Sequence, residues 1–306
     1  MNGKETPVGF IGLGNMGGRM TRRLVEAGHT VVGHDPAPGR AEDAGAEPVT
    51  SPAEVARRCP VVLLSLPDSG MVEQVMRGED GVLAGAAPPE GAATVVDLST
   101  ASPESTVALA EEAAGRGVTF LDAGISGGAA AAERGTLTVM AGGGADAIDK
   151  IRPVLAPFAA TVHHLGPTGA GHTAKLLNNF LNAVTLAATA EVMVAGRQAG
   201  LDLRTLLAAI NGGSGQSFAS TNRFPRIVEG DYLEGGLTGE LMTKDIRLYV
   251  ELVARLGVPS LNATGPLASF GAAAHLGYGH QISNRVVDAI GDLAGGVRIQ
   301  QPTKEA

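Results

Sequence analysis

Lys175 and Asn179 stand four residues apart in the run Gly166-Pro-Thr-Gly169-Ala-Gly171-His172-Thr173-Ala-Lys175-Leu-Leu-Asn178-Asn179. On a helix that spacing puts an amine and a carboxamide on one face. The lysine's flanks, Ala174, Leu176 and Leu177, are apolar, which speaks against a solvated surface position. A protonated lysine within hydrogen-bond reach of a carbonyl neutralises the charge that develops on its oxygen during reduction. In the reverse direction the neutral amine accepts the hydroxyl proton. Burial favours the neutral form, which suits acid–base work. Asn179 is expected to orient the ammonium or the substrate. His172 is read as a polar helix residue rather than as the acid.

A second glycine-rich turn, Gly12-Leu13-Gly14-Asn15-Met16-Gly17, follows the apolar run Val8–Ile11 and opens a helical stretch. In that context such a turn binds a dinucleotide. Gly12 makes the tight turn, Gly14 lets the backbone approach the pyrophosphate, and Gly17 lets the helix pack on the strand. The phosphates then sit at a helix N-terminus, where the dipole favours negative charge. Asp35, eighteen residues after Gly17, lies where an acid accepts hydrogen bonds from the adenosine ribose and repels a 2′-phosphate. The expected cofactor is therefore NAD rather than NADP, with Arg40 near enough in sequence to keep NADP open. Leu66 and Pro67 are expected to pack against the cofactor, and Thr100 to hydrogen-bond near the nicotinamide. Gly169 and Gly171 lie where bulk would block that ring.

Three further elements bear on the site. Ser126-Gly127-Gly128 ends a strand, and successive backbone N–H groups in such a turn can form a nest for a carboxylate. Lys244-Asp245 is expected to open a later helix, from which Lys244 reaches the nicotinamide or the substrate carboxylate. His163-His164 lacks spaced carboxylate partners, so no metal is expected.

The elements that must position these residues follow from periodicity. Strand-length runs at Val8–Ile11, Thr30–His34, Val61–Leu66, Thr94–Leu98 and Thr119–Asp122 alternate with amphipathic segments at Met16–Ala27, Pro52–Arg58, Met71–Met76 and Pro103–Arg116. That alternation predicts a parallel sheet with crossover helices, an α/β fold of Rossmann-like type. Thr136–Ala141 and Thr161–Leu165 read as further strands around a helix near Asp146–Phe158. Beyond Gly166 only helical periods remain, at Thr173–Ala199, Asp202–Ile210, Lys244–Leu256 and Pro266–Leu276. The expected domains are 1–165, binding the dinucleotide, and 166–306, all-helical, for substrate and dimerisation. The tail from Arg298 to Ala306 is polar and expected to fray.

Composition narrows the partners. A net charge of −8 with no basic stripe argues against nucleic acid. One cysteine, Cys59, read as structural, forms no internal disulfide and fits the cytoplasm. No signal peptide is expected ahead of the first strand. The apolar stretch Leu176 to Ala195 carries Asn178, Asn179, Asn182 and Glu191, so it is read as a buried helix and not as a membrane span.

Taken in order, the Gly12–Gly17 turn, Ser126-Gly127-Gly128 with Gly135-Thr-Leu-Thr, the Lys175/Asn179 helix and Lys244-Asp245 resemble the β-hydroxyacid dehydrogenase family over nearly the whole chain. Its members include 3-hydroxyisobutyrate dehydrogenase and tartronate semialdehyde reductase. The resemblance implies a Rossmann-like domain joined by a long helix to an α-helical domain. It also implies a lysine acid–base, a carboxylate held at the Ser-Gly-Gly loop, and a homodimer or homotetramer. The expected reaction interconverts a small 3-hydroxy acid and its semialdehyde. Two positions depart from the family's pattern. Gly124 stands where proline is usual, and Gly279-His280-Gln281-Ile282-Ser283 lacks an aspartate often found there. An imine reductase on the same architecture, which usually lacks the lysine, and a dinucleotide-binding scaffold without turnover are the alternatives.

Overall fold

The computed structural model describes residues 6–88 and 91–300. The tail expected to fray lies, from 301 onward, outside the described residues. The chain divides into two compact units that meet between Lys175 and Leu176.

The first unit runs β1 (Val8–Ile11), α1 (Asn15–Glu26), β2 (Val31–His34), α2 (Arg40–Asp43), β3 (Glu47–Pro48), α3 (Pro52–Arg58), β4 (Val61–Leu64), α4 (Ser69–Arg77), α5 (Val82–Gly85), β5 (Thr94–Asp97), α6 (Pro103–Ala114), β6 (Thr119–Ser126), α7 (Gly128–Arg134), β7 (Leu137–Gly142), α8 (Ala145–Leu155) and β8 (Ala159–Gly166). It ends in the first turns of α9 (Ala170–Gln198). The strands form one sheet in the order β3-β2-β1-β4-β5-β6-β7-β8. The apolar runs of β1, β2, β4, β5 and β6 are buried on both faces, as a helix-covered sheet requires. Val8, Phe10, Leu63, Val96 and Leu121 pack on one face; Ile11, Val62, Leu64, Val95 and Phe120 pack on the other.

One expectation needs correction. The sheet is not parallel throughout, because β6 and β7 pair antiparallel, with Asp122 opposite Gly142 and Ser126 opposite Thr138. Only residues 127–136 separate the two strands, and α7 occupies most of them. A same-direction return needs a crossover of about a dozen residues or more. The shorter link sends β7 back the other way.

The second unit carries the rest of α9, then α10 (Leu203–Asn211), α11 (Phe224–Ile227), α12 (Gly239–Arg255), α13 (Thr264–His275) and α14 (Val286–Leu293). A π-helical turn, Ala219–Arg223, precedes α11. Its core gathers Leu186, Met193, Leu207, Phe224, Met242, Ile246, Phe270 and Val287. Phe180 stacks on Tyr249 at 3.7 Å between centroids, tying α9 to α12. Helix α12 begins five residues before Lys244, so this lysine lies inside the helix and does not open it. The start is set by Thr238, whose side chain accepts the Leu241 N–H, with Glu240 in the first turn. Helix α9 is long and apolar enough to cross a membrane, and 56% of its most apolar window is buried within the protein.

Candidate active site

The first glycine turn is shaped as its three glycines suggest. Gly12 has φ +87°, and a Cβ there would lie 2.4 Å from the Ser65 carbonyl oxygen. A Cβ at Gly17 would lie 1.9 Å from the Gly12 carbonyl oxygen, so only glycine lets α1 start this close to β1. At Gly14 a Cβ would meet nothing nearer than the Arg40 guanidinium, at 3.6 Å. The turn therefore presents open backbone at its middle glycine, just where α1 begins. Asn15 is exposed and Met16 half-buried at that start, while Leu13 is buried.

Asp35 follows β2 directly and its side chain is nearly buried. One oxygen accepts the Leu13 N–H at 2.8 Å and the other the Ala37 N–H at 2.9 Å. Arg40 lies 3.3 Å from the same carboxylate. The acid thus braces the glycine turn from the neighbouring strand. Beyond β4 and β5 a second brace operates. Asp97 accepts the Ser99 N–H at 3.0 Å, and the Ser99 hydroxyl accepts the Leu66 N–H at 2.9 Å. These bonds fix the two strand ends that carry Leu66 and Thr100, both half-buried, and the exposed Pro67.

Lys175 is 8% exposed on α9. Its stem lies against the backbone of β6: a Cβ at Gly124 would fall 2.6 Å from the lysine Cβ and 2.8 Å from its Cγ. One turn earlier, a Cβ at Gly171 would fall 2.4 Å from the Met140 carbonyl oxygen and 2.6 Å from that of Asp122. Gly171 is therefore small because a helix crosses two strands there; strand backbone, not a ring, occupies the space beside it. Gly169 likewise faces Val107 at 3.3 Å. Asp122 anchors the helix start. It is fully buried, and its two oxygens accept the Gly169 and His172 N–H groups, each at 2.8 Å. Such charge-assisted bonds satisfy donors that a helix N-terminus leaves open.

His172 is a core residue, fully buried, with Nδ1 2.7 Å from the Thr106 hydroxyl. Its Nε2 lies 3.8 Å from Asp97. Ser126 closes β6, and Gly127 (φ +128°) and Gly128 (φ +72°) form the exposed turn into α7. A Cβ at Gly128 would meet no atom within 4 Å.

In the helical unit Asn179 is 3% exposed, and its amide donates to Asp245 at 2.6 Å. The other Asp245 oxygen is 3.1 Å from the Lys244 ammonium. Asp245, buried to 1%, thus joins the two residues singled out in this half. In the sequence it stands only as half of the Lys244-Asp245 dipeptide; an acid at helical spacing from Met242 and beside Ile246, on the apolar stripe of α12, was the available signal. Asp122 was missed for another reason, since its partners lie 47 and 50 residues away. Cys59 is fully buried, and burial pushes its thiol up to about 12. Among the described residues no cluster of three or more His, Cys, Asp or Glu side chains is placed to hold a metal.

A strand–glycine turn–helix unit of this shape binds a dinucleotide, and comparison with known proteins places the chain among enzymes that use one. Residues 7–166 match the family described as the NAD binding domain of 6-phosphogluconate dehydrogenase. Residues 169–287 match the NAD-binding family of NADP-dependent 3-hydroxyisobutyrate dehydrogenase. The chain is 33% identical to the 2-(hydroxymethyl)glutarate dehydrogenase of Eubacterium barkeri, covering 95% of this chain and 97% of that one. It is 36% identical to the 3-hydroxyisobutyrate dehydrogenase of Pseudomonas aeruginosa, over 86% and 89% of the two chains. A solved 3-hydroxyisobutyrate dehydrogenase of Mycobacterium tuberculosis, with L-serine, superposes with a TM-score of 0.80 at 31% identity, covering 92% of this chain and 98% of that one. The chain belongs to the β-hydroxyacid dehydrogenase family. It is an NAD(P)-dependent dehydrogenase.

Proposed function

We propose that this enzyme interconverts a small 3-hydroxy acid and its semialdehyde, with Lys175 as the acid–base. The observation that carries the reading is Lys175 itself, a buried amine seated on β6 at the start of α9. Three molecules named with the relatives, 3-hydroxyisobutyrate, L-serine and 2-(hydroxymethyl)glutarate, share the unit HOCH2–CHR–COO⁻. That unit is the substrate class assigned here, with R unspecified.

The open backbone at Gly14 and the acid after β2 fit a dinucleotide. Gly12, Leu13, Gly14, Asn15, Met16 and Gly17 would hold its pyrophosphate, Asp35 its ribose, and Leu66, Pro67, Thr100 and Lys244 its nicotinamide half. When bound, the nicotinamide ring supplies the hydride acceptor in oxidation and the donor in reduction. The chain's own residues manage the proton and the carboxylate. Neutral Lys175 Nζ takes the proton of the substrate hydroxyl, and the ammonium returns it to the carbonyl oxygen in the reverse direction. Asn179 orients that exchange from the next turn of the helix. Ser126, Gly127 and Gly128 hold the carboxylate through the backbone N–H groups of the turn, where both glycines have positive φ. NAD is the preferred cofactor because Asp35 repels a 2′-phosphate, and Arg40 beside it leaves NADP a weaker substrate. The helical unit serves substrate binding and self-association, and the cytoplasm is the compartment.

The test is turnover with 3-hydroxyisobutyrate, L-serine, 2-(hydroxymethyl)glutarate and glycerate, with NAD and separately with NADP. Reduced cofactor is expected with NAD on at least one acid. Lys175→Ala is expected to lose on the order of 10²–10⁴ in kcat, the usual yield of a positioned proton-transfer group, with cofactor affinity unchanged. Turnover within a few-fold of the parent would remove Lys175 from the role.

A further inference from the structure

We propose that Gly124 is a positioning residue for the reaction: its missing side chain is the seat that sets where the Lys175 amine stands. This rests on Lys175 being the acid–base. Helix α9 descends along β6 in step with it. Gly171 meets the strand at Asp122, and Lys175, one helical turn on, meets it at Gly124, two residues on. Gly142, opposite Asp122 on β7, completes the crossing, since a Cβ there would lie 2.6 Å from an Asp122 carboxylate oxygen and 2.8 Å from the Gly171 nitrogen. Three glycines thus let the helix backbone lie directly on the two strands.

Gly124 differs from the other two in what it touches. Gly142 and Gly171 contact backbone atoms and the anchoring carboxylate, whereas Gly124 contacts the lysine stem at Cβ, Cγ and Cδ, at 2.6, 2.8 and 3.4 Å from where its own Cβ would stand. Real Cβ atoms do not approach to 2.6 Å. The lysine Cβ is fixed to the helix backbone and cannot swing aside as a side-chain tip would. With α9 lying as close to β6 as it does in this chain, a side chain at 124 must lift the helix at this turn or turn the lysine away, and either moves the amine from its present place. The φ of Gly124 is not in the left-handed region, so backbone conformation does not require glycine here. The contact with Lys175 is what does.

Gly124→Ala is expected to lower kcat on the order of 10²-fold, the scale of a displacement of about 1 Å at a reacting group. NADH affinity is expected to stay within a few-fold, because the glycine turn is untouched. The solvent deuterium isotope effect on kcat is expected to rise as proton transfer from a misplaced amine becomes limiting. Unchanged turnover, or lost turnover with lost NADH binding and no change in the isotope effect, overturns the proposal. Melting separates the seat from the chemistry. In a Lys175→Gly background, where the stem is gone, adding Gly124→Ala is expected to leave Tm unchanged, although it lowers Tm in the lysine-bearing chain. An equal loss in both backgrounds places the clash elsewhere and overturns the seat. If Lys175→Ala keeps its turnover, the acid–base reading fails, while the melting comparison still decides whether Gly124 seats the lysine.

Discussion

At the scale of single residues, one carboxylate in the helical half joins two of the residues proposed to serve the site. Asp245 receives the Asn179 amide and the Lys244 ammonium and is itself buried. Asp245→Ala removes the buried acceptor of the Asn179 amide, at a cost of about 1–3 kcal/mol for a buried hydrogen bond lost on one side. Urea unfolding measures the loss, and turnover is expected to fall with it, because Asn179 loses the bond that orients its amide. Cys59 makes the opposite prediction, of inertness. Its thiol stays protonated well above its ordinary value near 9.0 because burial penalises the thiolate. Native protein at pH 8 is therefore expected to resist iodoacetamide, while urea-unfolded protein reacts at once. The sign of the pH effect follows: between about 9 and 12 the unfolded chain has released this proton and the folded chain has not. Stability from this group is thus whole below pH 9 and declines as pH rises through that window. A denaturant midpoint independent of pH between 9 and 11 would contradict the shift.

At the scale of elements, the start of α9 is held by Asp122 rather than by a residue of its own sequence. Asp122→Ala strands two buried N–H groups and is expected to cost about 1–3 kcal/mol. Hydrogen exchange of residues 170–175 is expected to rise before that of β1 or β4; uniform exchange would show that the anchor is not local. The same helix shows what a sequence discloses. Its length, its lysine and its asparagine were legible because apolar periodicity and a glycine-rich lead are local signals. So were the seven strands with β-branched runs. The two-residue β3 was not, nor was α7, whose Gly-Ala-Ala-Ala-Ala-Glu-Arg follows a turn motif and reads as loop. The start of α12 was overlooked because its signal is a threonine cap and not an apolar stripe. Above all, the contacts of Asp122 and Gly124 with α9 join residues some fifty positions apart. No local pattern encodes them, and they appear only when the sheet brings β6 beneath the helix.

At the scale of the whole molecule, α9 displays Leu177, Leu181, Ala188, Val192 and Ala195, all exposed and recurring at helical spacing. Exposed apolar stripes of this kind mark surfaces of association. This one supports the proposed homodimer or homotetramer, with the stripe as its contact. Leu181→Asp is expected to shift the protein to monomer in light scattering, and an unchanged mass would exclude the stripe. The same helix is also unbroken across the division of the chain, with Lys175 the last residue of one unit and Asn179 among the first of the other. Recombination between relatives is constrained by this continuity. Each residue advances an α-helix by about 100°, so a chimera joined at residues 175–176 tolerates no change of length. One inserted residue would rotate Asn179 a quarter-turn or more off the face of Lys175 while leaving every side chain intact. The reading frame of the helix, as much as the identity of either residue, is thus something the roles proposed for Lys175 and Asn179 require.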